Sequence, residues 1–142
     1  MKTIALALLL ASLSSLEPLV AQAPPAPGGA VFVAYYWRAR PGKVEEYNTY
    51  ITTIAEKIDE DARKAGVFEE VRTVTPAPGT TTDWTHLRIF RLKDAAAEQA
   101  LGAGLDAATL RVVPSDAQRK ANSERSAGLR DLVGREVWTE LK

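Results

Sequence analysis

The sequence predicts an α+β domain in which a four-stranded antiparallel sheet carries helices on one face. Three observations lead to this fold class. Segments with strand and helix periodicity alternate in the order strand, helix, strand, strand, helix, strand. A short turn segment separates the second and third strands, which makes them antiparallel neighbours. The first strand is apolar on both of its faces, so both faces of the sheet must be covered.

The first 23 residues have the three parts of a secretory signal peptide. The chain starts with a positively charged Met-Lys dipeptide, residues 3–16 are apolar and uncharged, and Ala21 and Ala23 form a small-x-small cleavage pattern. The apolar run is shorter than the roughly 18–20 residues that a membrane-spanning helix needs. An uncleaved membrane anchor is the alternative. We expect cleavage near Ala23 and an extracytoplasmic protein, periplasmic or secreted, without membrane attachment afterwards.

Residues 24–30 are rich in Pro and Gly and are predicted to be a flexible tether. Residues 31–142 are predicted to form a single domain, because a domain usually takes roughly 100–200 residues. The chain contains 18 Lys and Arg and 18 Asp and Glu, so it carries no basic footprint for nucleic acid. It has no Cys and one His, which excludes thiolate and multi-His metal centres. No metal site is predicted.

Residues 31–38 (VFVAYYWR) form the first predicted strand, since they are β-branched and aromatic and contain no Gly or Pro. A Pro-Gly pair at residues 41–42 breaks the chain. Residues 43–65 then carry apolar side chains at intervals of three or four, which is the period of a helix. Gly66 is a suitable stop for that helix.

The second half of the chain continues with two strands, a helical region and a last strand. Residues 67–75 and 82–92 are predicted strands joined by a Pro- and Gly-containing turn. Asp94 is predicted to cap a helical segment that ends near residue 101, where two glycines interrupt it. The remaining predicted elements are a helix over residues 116–133 and a strand over residues 135–141.

This element order is that of the ferredoxin-like βαββαβ fold. The chain resembles the dimeric α/β-barrel superfamily, in which two ferredoxin-like chains pack sheet to sheet. The resemblance covers residues 31–141 and is carried by four segments: YWRARPGK at residues 36–43 with Glu46-Tyr47 opening the long helix, KAG at 64–66, PGT at 78–80, and REVW at 135–138. The signal peptide and long first helix resemble secreted bacterial members of unknown function. The resemblance implies a homodimer formed through the open sheet face, which covers its apolar surface with one self-complementary patch.

The superfamily includes cofactor-free monooxygenases, haem-degrading monooxygenases and chlorite dismutase-like haem enzymes. Its haem-degrading members use an Asn on the first strand with a His on the second helix. Here the first strand has no Asn, and His86 falls on the third predicted strand. No catalytic residue is therefore transferred, no cofactor is predicted because haem lacks a supporting motif, and the question of enzymatic activity stays open.

Five side chains are candidates for ligand binding because of their chemistry. The imidazole could act as an acid or base or bind haem axially, and a hydrogen-bonded structural or interface histidine is the alternative. Should the faces of the first and third strands coincide, aromatic rings and arginines would form a site for a carboxylated or phenolic small molecule. Ordinary interface packing with Arg–Glu pairs is the alternative. The candidates are His86, Arg88, Trp84, Tyr36 and Arg38.

The predicted function is that of an exported homodimeric domain that binds a small apolar or aromatic ligand. Two alternatives remain at this point. One is a cofactor-independent or haem-dependent oxidoreductase of the monooxygenase type, which would need a dry pocket reaching His86. The other is a purely structural or interaction module in which the space between helices and sheet is filled by side chains.

Overall fold

A computed structural model describes residues 28–141, so the predicted signal peptide and most of the tether lie outside the described residues. The strands are β1 (Val31–Ala39), β2 (Glu70–Val74), β3 (His86–Leu92) and β4 (Arg130–Thr139). The helical elements are α1 (Val44–Tyr50), a π-helical segment (Ile51–Ala55), α2 (Glu56–Lys64), α3 (Ala95–Val112) and α4 (Asp116–Leu129). This order confirms the predicted α+β class and the ferredoxin-like βαββαβ pattern.

The four strands form one antiparallel sheet in the order β2-β3-β1-β4. The central strand β1 pairs with β3 on one side and β4 on the other, so Val33 lies between Phe90 and Val137. The register between β1 and β4 shifts after Tyr36, which marks a β-bulge in the pairing. Both neighbours of β1 are therefore far from it in sequence.

Outside the bulge in β4, side chains alternate between the two faces of the sheet. On the helix-covered face, Val33, Phe90 and Leu92 are buried and pack with residues of α2 and α3, including Ala62 and Leu101. A second cluster on the same side of the sheet packs α1 and the π-helical segment against the end of β1 and the end of α4; its buried members are Ala39, Tyr47, Tyr50, Ile51, Ala55 and Leu129. On the other face, alternate β3 residues remain partly exposed.

The predicted helix over residues 43–65 is confirmed, and its middle turn is wider than expected. The π-helical segment contains two isoleucines and two threonines in succession, residues that give up side-chain freedom in an α-helix. The Thr52 hydroxyl donates to the Asn48 carbonyl at 3.1 Å, and the Thr53 hydroxyl donates to the Thr49 carbonyl at 2.6 Å. Such local bonds compete with the regular α-helical pattern and favour a widened turn.

The predicted helix interruption near residue 101 is wrong, because α3 runs through Gly102 and Gly104 to Val112. The reason is tertiary packing. A Cβ atom added at Gly104 would lie 2.7 Å from Cγ2 of Val67, whereas nothing lies within 4 Å of one added at Gly102. Gly104 thus permits close approach between α3 and the segment that follows α2, and this contact offsets the poor helix propensity of glycine.

The predicted boundary between the last helix and the last strand is also wrong. Helix α4 ends at Leu129, and β4 begins at Arg130 rather than at residue 135. Pairing with the long β1 strand, assisted by the bulge, extends β4 into residues that the local pattern assigned to a helix. Strands β2 and β3 are also shorter than the predicted segments 67–75 and 82–92, since both begin three or four residues later.

We expect opposite effects from alanine at the two α3 glycines. Gly104→Ala should lower the free energy of unfolding by about 1–3 kcal/mol, because the new methyl group overlaps Val67 in a packed site. Gly102→Ala should raise it by up to about 1 kcal/mol, because it gains helix propensity in open space. Urea unfolding of both variants tests this, and equal effects would contradict the packing explanation.

None of the described helices combines the length and the apolar character that a membrane span requires. Within residues 28–141, no three or more His, Asp or Glu side chains are placed together to hold a metal ion.

Candidate ligand-binding cavity

The structure divides the five predicted site residues between the two faces of the sheet. His86 and Arg88 of β3 lie on the helix-covered face and are buried, whereas Tyr36 and Arg38 of β1 lie on the open face. Trp84 precedes β3 and packs against Tyr36, with their ring centroids 5.8 Å apart. The faces of the two strands therefore do not coincide in the way that a joint site of these five residues requires.

His86 is held in a closed hydrogen-bond chain and is only 1% exposed. Its Nε2 lies 2.8 Å from the amide oxygen of Asn48, an acceptor, so Nε2 carries the proton and donates. Its Nδ1 then accepts from the Thr85 hydroxyl at 2.8 Å. The hydroxyl oxygen of Thr85 in turn accepts from the backbone N–H of Ala39 at 2.7 Å. The network is satisfied by a neutral imidazole.

The surroundings of His86 favour its neutral form and give it a structural role. Burial lowers the pKa of His86, and the nearby Arg130 cation lowers it further. The imidazole packs edge-on against the Tyr47 ring, with centroids 4.4 Å apart. Because both ring nitrogens already have partners, His86 does not fit the part of an axial haem ligand, which needs a free nitrogen facing an open space.

The lowered pKa of His86 predicts a loss of stability at mildly acidic pH. The folded chain binds the imidazole proton less readily than the unfolded chain, whose His pKa is near 6.5. The free energy of unfolding should therefore fall as the pH drops through about 6.5 toward the lower folded-state pKa. A His86→Gln variant should lack this component. Urea unfolding of both proteins between about pH 8 and pH 5.5 tests it, and parallel pH profiles would contradict it.

Arg88 is occupied by a buried ion pair. Its guanidinium contacts the carboxylate of Asp59 in α2, with side-chain exposures of 10% and 9%, and it also donates to the Thr73 hydroxyl at 3.3 Å. Burial raises the pKa of Asp59, and the Arg88 guanidinium opposes that shift. This pair joins α2 to the sheet and leaves Arg88 committed to Asp59.

A cavity of about 400 Å³ lies elsewhere on the helix-covered side, between β1, the π-helical segment and α4. Its apolar wall consists of Trp37, Tyr50, Ile54 and Ile58. The widened π-helical turn supplies Ile54, in keeping with the frequent occurrence of such turns at functional sites. The opposite wall is polar and is formed by Thr109, Arg119, Asn122, Ser123, Ser126 and Arg130, together with Ala127.

Arg130 is the most distinctive group in this cavity. Its guanidinium carbon lies 3.7 Å from the centre of the Trp37 ring, a close cation–π contact. Nη1 donates to the Tyr47 hydroxyl at 2.6 Å, and Nε donates to the Ser126 hydroxyl at 3.1 Å. Within residues 28–141, Arg130 forms no ion pair with a carboxylate, and its remaining N–H groups donate to no other described side chain. The cavity thus contains an oriented cation whose charge no carboxylate of the described residues neutralises.

The second arginine of the cavity has a different role. Arg119 Nη1 donates to the carbonyls of Val113 and Pro114, each at 2.7 Å, and Nη2 pairs with Asp116. These bonds satisfy carbonyl groups at the C-terminal end of α3, where the helix leaves them unpaired. Arg119 adds positive potential to the wall, but its donors are largely used, so Arg130 is the better anion partner.

None of the five residues predicted from the sequence lines this cavity. The cavity also combines an aromatic ring with an arginine, but the residues are Trp37 and Arg130. The antiparallel register places Trp37, not Tyr36, opposite His86 and on the helix-covered face. Because side chains alternate along a strand, the sequence already placed Trp37 and Tyr36 on opposite faces of β1. Which of the two shares a face with His86 depends on the pairing register, and register is a long-range property.

Comparison with known proteins supports the fold. No protein-family model matches the sequence, and curated proteins give no significant match. A NIPSNAP family protein of unknown function from Agrobacterium tumefaciens is similar with a TM-score of 0.55 and 11% identity, over 80% of this chain and 89% of that one. HapK from Hahella chejuensis is similar with a TM-score of 0.51 and 8% identity, over 78% of this chain and 92% of that one.

An EthD-like protein from Ralstonia eutropha is also similar, with a TM-score of 0.51 and 8% identity over 79% of this chain and 92% of that one. At such identities these likenesses show the fold alone. The chain has a ferredoxin-like fold. The comparisons thus confirm the ferredoxin-like fold that the predicted resemblance implies.

Proposed function

We propose that this protein binds a small aromatic carboxylate in the cavity around Arg130. The observation that carries the proposal is the guanidinium of Arg130, which is stacked on Trp37, faces the cavity and forms no ion pair in the described chain. A partly buried cation without a counter-charge favours an anionic ligand. A guanidinium edge and a carboxylate match in geometry and form two parallel hydrogen bonds.

The remaining lining sets the rest of the ligand's chemistry. Trp37 and Tyr50 offer aromatic surface, and Ile54 and Ile58 offer aliphatic surface, so an apolar ring is the matching group. The volume of about 400 Å³ lies in the range of about 300–1,000 Å³ that is typical of small-molecule sites. Apart from the Tyr50 phenol, the described lining of this cavity contains no common general acid or base such as Asp, Glu, His or Lys, and this composition favours binding over acid–base catalysis.

Calorimetric titration with benzoate and its neutral analogue benzamide tests the proposed ligand class. Benzoate should bind about 10–100-fold more tightly than benzamide, because a hydrogen bond to a charged partner contributes about 1.5–3 kcal/mol. Arg130→Gln should remove this preference. Arg38→Gln makes the same charge change on the open face and should leave the preference intact. Equal binding of the two probes, or loss of preference in the Arg38 variant, would contradict the proposal.

We propose that the functional form is a homodimer in which the open faces of two sheets pack together. A recess of about 520 Å³ on this face has an apolar lining formed by Phe32, Ile89 and Trp138, beside the charged residues Glu70, Arg72 and Arg91, and Trp138 is 41% exposed. A contiguous apolar surface of this kind on a sheet is normally covered by a partner. A second copy can cover it by two-fold symmetry, because one patch then serves both chains.

We also propose that the chain is exported and released near Ala23, on the strength of the three-part N-terminal pattern. Expression of the full chain in a Gram-negative host, followed by mass spectrometry of the periplasmic protein, tests this. The expected mature form begins at Pro24. Full-length protein confined to the cytoplasm or retained in the membrane would contradict export with release.

A further inference from the structure

A second cleft adjoins the cavity and shares part of its wall. It has a volume of about 280 Å³ and lies between the π-helical segment and the turn that joins α3 to α4. Ile54 and Asn122 line both spaces, so the cleft continues the cavity. Val113 and Pro114 add apolar wall, and the exposed residue Lys57 lies on the same lining.

Like the charge of Arg130, the charge of Lys57 has no carboxylate partner among the described residues. In the described part of the chain, the Lys57 ammonium forms no ion pair, although Lys64 of the same helix pairs with Glu60. The cleft therefore offers apolar walls and a second cation, and the cavity offers an aromatic wall and the first. A single benzoate ring would fill only a small part of the joined volume, whereas ligand sites usually enclose most of the ligand's surface.

We infer that the ligand is an elongated aromatic acid of two-ring length with an anionic group at each end. Its first carboxylate pairs with Arg130, its first ring lies against Trp37, and its second ring passes Ile54 into the cleft. The second anionic group then faces Lys57. This inference rests on the proposed function and adds the length of the ligand and its second charge.

Three probes separate this inference from the proposed function: benzoate, 4-phenylbenzoate and biphenyl-4,4′-dicarboxylate. The second ring should tighten binding at least about tenfold, since it removes further apolar surface from water. The second carboxylate should add about two- to fivefold, the size expected for an ion pair near the surface. If benzoate binds in the Arg130-dependent manner but 4-phenylbenzoate binds no more tightly, the inference is overturned and the proposed function stands. If none of the acids binds, both fail.

Two variants locate the binding of the second ring and of the second charge. Gln118 is an exposed α4 residue on the cleft lining. Gln118→Trp should fill the cleft, so 4-phenylbenzoate should no longer bind more tightly than benzoate, while the affinity for benzoate is unchanged. Lys57→Gln should remove the preference for the dicarboxylate, and Lys93→Gln, a matched charge change outside the cleft, should preserve it. A two-ring advantage that survives Gln118→Trp, or a dicarboxylate preference that survives Lys57→Gln, would overturn the inference.

Discussion

Replacing Arg88 with Met is expected to lower the free energy of unfolding by about 3–5 kcal/mol, because the buried Asp59 carboxylate would lose its counter-charge. Methionine has a similar shape and can fill the space of the arginine stem, so the loss would come from the charge rather than from a cavity. Urea unfolding at neutral pH measures the effect. Since burial already raises the pKa of Asp59, the deficit should shrink as the pH falls and the carboxyl takes up a proton.

A double variant provides the control for this prediction. Arg88→Met combined with Asp59→Leu replaces both charges with apolar groups and should recover most of the lost stability, because removal of a whole buried pair is often neutral or stabilising. A double variant as unstable as Arg88→Met alone would contradict this explanation. In that case the loss would reflect the packing of the arginine stem against its neighbours instead.

Replacing Ile89 with Lys is expected to convert the proposed dimer into single chains at micromolar concentration. Ile89 lies on the open face beside Arg72 and Arg91, which already pair with Glu70 and Glu69, so two-fold packing would bury two added lysine charges that have no free carboxylate in the recess to pair with. Juxtaposed like charges cost several kcal/mol, which weakens association by about 100-fold or more. Sedimentation equilibrium measures the mass of the particle in solution.

Val44 offers a control for the Ile89 prediction. It is β-branched like Ile89 and is 41% exposed, and it lies at the start of α1, away from the open face of the sheet. Val44→Lys should therefore leave the dimer intact. A wild-type protein that sediments as a single chain would contradict the proposed dimer itself, and a dimer that both lysine variants retain would place the interface elsewhere.

The sequence was informative where short-range patterns decide the structure. The strand pattern of β1 and the apolar stripe of the long helix predicted the α+β class, the sheet and the helix that covers it. Each of these patterns lies within a single segment of the chain. The two glycines of α3 misled local reasoning, since their tolerance depends on the approach of Val67 from another part of the chain. The composition of β1 predicted that both faces of the sheet are covered, and for the open face this stays a prediction that depends on the proposed dimer.

The site was harder to predict because it depends on register and on one misplaced boundary. The local pattern predicts a helix at Arg130. Pairing with Ala39 of β1 instead makes Arg130 the first residue of β4, where its guanidinium contacts Trp37. His86 was singled out because it is the sole imidazole, but its burial and its two hydrogen bonds are tertiary facts. Local patterns identify which residue types are available, and long-range pairing determines which of them meet.

Trp37 provides the most direct test of the central claim that the Arg130 cavity binds an aromatic carboxylate. The chain has three tryptophans, and of these only Trp37 lines the cavity. In a Trp84→Phe, Trp138→Phe background, Trp37 emission should change saturably with benzoate, change much less with benzamide, and lose its response to benzoate when Arg130→Gln is added. Trp37 emission that ignores benzoate, or that responds equally in the presence and absence of Arg130, would contradict the claim.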